Sequence, residues 1–185
     1  NFNYLSQKKI FQNESLLIDL LDSELLNNPN LNASIKINID QIDKFEHLKN
    51  FVSKVNLGDG RIIIKDFNTI WNESVFINSN EIEFLNDIDG KKLVGEIIFN
   101  FNDIEKFFRY FQIKRNYRDV FETIKFDFIY DLTLDKLTMT NLRIDNKSSK
   151  KIDRFLNQYN RSENNSFNKV TIRNFIKEFF KVYAG

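Results

Sequence analysis

From Ile124 to Leu134 the chain reads IKFDFIYDLTL, with apolar side chains at Ile124, Phe126, Phe128, Tyr130, Leu132 and Leu134. The intervening positions are polar except Ile129. Side chains alternate across a strand, so this pattern predicts a strand with one greasy and one wet face, ~36 Å long at about 3.3 Å per residue. Ile35, Ile37 and Ile39 alternate in the same way, as do Ile97, Phe99 and Phe101. A hairpin is predicted where residues 51–57 and 61–67 flank Gly58-Asp59-Gly60, a turn rich in residues that accept positive φ. Further strands are predicted at 70–78, 81–85, 92–101 and 136–145. Asp89-Gly90 supplies the turn between the second and third of these.

Elsewhere the period lengthens. Asn13 can cap a helix bearing Leu17, Leu20, Leu21 and Leu25, with Pro29 just beyond it. Asp40 can cap a short helix carrying Ile42 and Phe45. Asn102 with Glu105 resembles a capping box, ahead of Ile104, Phe107, Phe108 and Phe111 at helical spacing. Two more amphipathic helices are predicted at 149–159 and 169–183, joined by a loop at 161–168. Strands following one another through short turns, with helices beside them, predict an α+β fold: an antiparallel β-meander with amphipathic helices on one face and at the C-terminal end.

The 185 residues suit one domain, 1–185. Charge divides it unevenly: residues 147–185 carry nine Lys/Arg against three Asp/Glu, a net +6, leaving about −5 for residues 1–146. A basic helical subregion thus follows an acidic body. The overall charge of +1 gives no reason to expect nucleic acid. The chain opens on Asn1 and holds its one methionine at 139, which is expected of a fragment of a longer protein.

Parts for chemistry are scarce. Cysteine is absent, which removes thiolate ligands and nucleophiles, and one histidine, His47, cannot build a metal cluster or a catalytic triad. No glycine-rich phosphate loop occurs. Asp127 and Asp131 alternate as paired acids can in glycosidases, yet they fall on the predicted wet face of their strand. We therefore expect no enzyme, metal or cofactor.

What remains is the apolar face. Burying a Leu, Ile or Phe is worth about 1.5–3 kcal/mol, so six on one strand face represent on the order of 10 kcal/mol. Two readings stay open: the helices cover the face entirely, or they leave a lipid-sized groove. Arg173, Lys177 and Lys181, spaced by four opposite Ile172, Phe175, Ile176 and Phe179, offer a second feature: a basic helix face for a membrane surface or protein partner.

The run LLDSELLNNPNLNASIKINIDQIDKFEHLKNFVSKVNLGDGRIIIKDFNTIWNESVFI resembles the C-terminal region of AsmA-like envelope proteins. GEIIFNFNDIEKFFRYFQIKRNYRDVFETIKFDFIYDLTLDKLTMTNLRID and the closing RNFIKEFFKVYAG continue the likeness over nearly the whole chain. The resemblance implies a curved sheet in the periplasm, within a protein anchored to the inner membrane by a segment outside this chain. It also implies phospholipid transport between the membranes or outer-membrane assembly, with an envelope protein as a further partner. By position, Ile35, Ile37, Ile39, Ile97, Phe99, Phe101 and the ladder Ile124–Leu134 would face acyl chains. The alternative is a structural or interaction domain capping a larger assembly, with no lipid site of its own.

Overall fold

The computed structural model describes residues 23–28, 30–42, 45–87, 90–162 and 168–185. Seven strands form one antiparallel, open and curved sheet whose spatial order is the chain order. They are β1 (Asn32–Ile42), β2 (Phe45–Gly58), β3 (Arg61–Trp71), β4 (Val75–Asp87), β5 (Gly90–Phe101), β6 (Thr123–Asp131) and β7 (Lys136–Ile144). Among the described residues three α-helices accompany them: α1 (Ile104–Phe111), α2 (Lys150–Arg161) and α3 (Lys169–Ala184). The α+β meander expected from the sequence is what the chain forms.

Several boundaries differ from expectation for identifiable reasons. No helix follows Asp40: β1 runs through Ile42 and β2 starts at Phe45, so the three-residue spacing of those apolar positions spans a hairpin. Residues 70–78 are not one strand, because Asn72 and Glu73 both take positive φ and turn the chain between β3 and β4. The hairpin at Asp59-Gly60 forms as expected, with φ of 51° and 73°. In α1 the cap is Asp103 rather than Asn102, its carboxylate accepting from the Lys106 N–H at 2.9 Å. The helix predicted after Asn13 lies largely outside the described residues; its last part, Glu24–Asn27, is a 3-10 turn.

Four strands change phase part-way, β4 between Asn78 and Ile82 and three others at a residue of positive φ. Asn50 in β2, Asp66 in β3 and Asn141 in β7 sit at φ 54°, 52° and 53°, the left-handed region that Asn and Asp tolerate best among residues with a Cβ. β5 pairs with β6 without a register shift, so Leu93, Ile97, Phe99 and Phe101 share one face. Through them, Ile62 and Ile64 fall on the same face as Thr69 and Trp71 despite opposite parity along β3. Each such residue keeps apolar side chains on one side while the strand bends.

That side carries both cores. The larger gathers Val75, Phe107, Phe108, Phe121, Ile124, Met139, Ile144, Ile152, Leu156, Phe179 and Phe180 where α1, α2 and α3 lie over β4–β7. The smaller joins Val55, Leu57, Ile62 and Phe84 beneath Leu26 of the 3-10 turn. The opposite side is wet and laced with cross-strand ion pairs, Lys65–Glu81 at 3.3 Å and Lys125–Glu96 at 3.8 Å among them. At the β7 edge, Asn160 of α2 takes the place of a neighbouring strand. The Met139 N–H donates to its Oδ1 at 3.1 Å, and its Nδ2 donates to the Met139 carbonyl at 2.7 Å.

Candidate functional site

Register assembles the candidate site. Ile35 pairs with Val55, Val55 with Ile64, Ile64 with Ile82, Ile82 with Gly95, Gly95 with Phe128, and Phe128 with Met139. One row therefore crosses all seven strands on the apolar face. Gly95 is required where β4 bulges toward it, since a Cβ there would stand 2.8 Å from the Glu81 carbonyl oxygen and 3.2 Å from Ile82 Cα. It also leaves the centre of the row without a side chain.

Ten of the twelve apolar candidates lie on this face: Ile35, Ile37, Ile39, Ile97, Phe99, Phe101, Ile124, Phe126, Phe128 and Tyr130. Their cover differs. Ile39 and Ile124 are buried, and Phe99, Phe101 and Phe126 pack against the helix-covered core, Phe99 and Phe126 stacked at 5.9 Å. Ile97 and Phe128 are half-buried outside both cores, and Ile35 is 49% exposed. Leu132 and Leu134 do not belong to the ladder, because β6 ends at Asp131. The Asp131 carboxylate accepts from the N–H groups of Thr133 and Leu134, both at 2.9 Å, and folds the chain into a turn. Leu132 then packs in the smaller core, while Leu134 is left exposed.

Tyr130 ends the apolar ladder with a polar tip, its hydroxyl donating to Asp135 at 2.7 Å. Burial, with Asp135 accepting from it, holds this phenol protonated well above its ordinary range. Two surface hollows, of about 420 and 400 Å³, occur elsewhere. One is bordered by Phe121, Thr123 and Asp145, the other by Ser34, Lys36, Lys54 and Asn68.

No protein-family model, curated protein or solved structure matches the chain. Its geometry is thus the guide to its use.

The basic helix face is not the free surface its spacing suggests. Arg173 is half-buried: its Nη2 donates to the Tyr110 carbonyl at 3.3 Å, against the end of α1, and its Nε is buried without a partner. A cation there satisfies the exposed carbonyls of a helix C-terminus. Lys181 is exposed and pairs with Glu178, while Lys177 is half-buried. His47 lies on β2, edge-on to Tyr110 at 5.2 Å. Asp127 stays on the wet face, accepting from Asn141 Nδ2 at 2.6 Å. Among the described residues no three His, Cys, Asp or Glu side chains gather to hold a metal ion. Two residues that shape the site, Gly95 and Asn160, are not among those the pattern of the chain singles out. Gly95 stands out only as an isolated glycine inside a strand pattern.

Proposed function

We propose that this chain is a non-catalytic periplasmic module of an AsmA-like envelope protein that holds phospholipid acyl chains against its apolar sheet face. The observation that carries the reading is the row running from Ile35 to Met139. Met139 at its β7 end and Val55 and Ile82 within it are buried, Ile64 and Phe128 are half-buried, and Ile35 at the β1 end is 49% exposed. Acyl chains lie along the uncovered part, with α1–α3 closing one end.

The test places a photo-crosslinking phenylalanine at position 35 or 128, and as controls at 76 or 129. Phe76 and Ile129 are each 43% exposed but stand on the wet face. Illumination in a bacterial envelope followed by mass spectrometry is expected to recover phospholipid adducts from positions 35 and 128 only. No adducts, or equal adducts from both faces, would overturn the reading. A second reading has its own support. Because Phe99, Phe101 and Phe126 are already packed under the helices, the chain serves as the cap of a larger assembly. Protein that yields protein–protein crosslinks from position 35 and no lipid would establish that role.

A further inference from the structure

The two edges of the sheet are treated differently. At β7 the outward N–H and C=O of Met139 are both occupied by Asn160, so no strand can add there without displacing α2. At β1, among the described residues, eleven residues have a strand on one side only. An unpaired edge of that length is a template for another strand. Of the usual deterrents β1 has a lysine, Lys36, and an irregularity at Gln41/Ile42, but no proline and no inward-pointing charge, and Ile35 beside the edge is 49% exposed.

Its charges name the occupant. Lys36 and Asp40 are exposed and lie on the same, wet face of β1, four residues apart. Neither forms an ion pair among the described residues. Lys36 has a like charge, Lys54, directly opposite it on β2, an unfavourable cross-strand arrangement. Two copies of β1 meeting antiparallel about a two-fold axis pair residues whose numbers add to an even constant, since opposed residues have the same hydrogen-bonding orientation. When Asn38 faces itself, Lys36 of each copy stands opposite Asp40 of the other, twice over. On the apolar face, Ile37 then meets Ile39. A slip of one step either places Lys36 against Asn38, losing both ion pairs, or places it beyond Asp40, opposite Ile42.

We infer that β1 is a self-association edge and that a second copy of this chain docks on it antiparallel with Asn38 at the two-fold. The axis stands perpendicular to the sheet, so both apolar faces end up on the same side as one continuous surface. The sealed β7 edge stops growth, and assembly closes at two chains instead of propagating as a fibre. This inference is independent of what the apolar face binds.

Sedimentation velocity on the intact protein tests it. An edge seam is at the small end of interface sizes, so the concentration series should run from about 1 to 500 µM. Wild type is expected to show a reversible monomer–dimer equilibrium. Lys36→Asp and Asp40→Lys, each made alone, place like charges opposite at both sites and should weaken the dimer by about tenfold or more. The double variant Lys36→Asp/Asp40→Lys restores opposite charges and should recover dimerisation, which also shows that the single variants fail at the seam and not in folding. Wild type remaining monomeric throughout, single variants dimerising as well as wild type, or a double variant that stays monomeric would each overturn the proposal.

Discussion

Replacing Asn160 tests how far one side chain secures the last strand. Asn160→Ala removes two hydrogen bonds, of 2.7 and 3.1 Å, to the backbone of Met139. Each is worth about 0.5–1.5 kcal/mol net, and a buried group left unpaired costs about 1–3 kcal/mol. Met139 is 3% exposed, so water reaches its amide poorly, and we expect a loss of about 2–3 kcal/mol. For a domain of this size that corresponds to roughly 4–12 °C in Tm. Asn160→Asp should be worse: the carboxylate still accepts from the Met139 N–H, but its second oxygen faces the carbonyl that Nδ2 now serves. Urea unfolding followed by the fluorescence of Trp71, the one tryptophan, provides the assay. That ring packs against Phe107 at 5.6 Å and Tyr110 at 4.8 Å, so it reports on the helix-covered core. The expected result is a lower midpoint with unchanged slope. A loss below about 0.5 kcal/mol, or an Asp variant no weaker than the Ala variant, would mean that water satisfies this edge as well as the amide does.

Two further outcomes follow from the backbone and the charges. At Asp66, with φ 52°, Asp66→Val should cost about 1–2 kcal/mol more than Asp66→Gly in the same unfolding assay, and equal stability would remove the strain argument. Some desolvation pushes the exposed Asp145 carboxyl up, but the N–H groups of Thr123 and Glu122, the Thr123 hydroxyl and Lys147 outweigh that and hold it below the ordinary carboxylate range. A depressed carboxyl stabilises the fold above its ordinary pKa and loses that contribution as pH falls through the lower folded value. Urea midpoints measured from about pH 6 down to about pH 2 should therefore fall less steeply in Asp145→Asn than in wild type, and parallel curves would contradict the assignment.

Much of this fold was legible because the strands obey a period of two and join through local turns. Ile35, Ile37 and Ile39 announced β1, and Gly58-Asp59-Gly60 announced its neighbour hairpin. The failures share a cause: contacts from elsewhere in the chain or backbone angles that no period encodes. Alternation continues to Leu134, but Asp131 ends the strand by accepting two backbone N–H groups. Asp66 switches the phase of β3, so a reader counting by twos from Ile62 would put Trp71 on the wrong side. Arg173 follows a surface spacing yet meets the carbonyl of Tyr110, 63 residues away. Asn160 looks like any polar residue near a helix end until the edge of β7 is set beside it.

Strand order that repeats chain order has a consequence for synthesis on the ribosome. Each strand can dock on one already made, so the meander zips from its N-terminal side without long loop closures. The cover over β4–β7, however, is completed by α3, and Ala184 lies 40 residues beyond the end of β7 at Ile144. At about 5–20 residues per second, the nascent sheet waits roughly 2–8 s before the cover begun by α1 and α2 over that half of its oily side is complete. Newly made chains are thus most exposed to aggregation, and most in need of a chaperone, after the sheet has formed and before the last helix arrives.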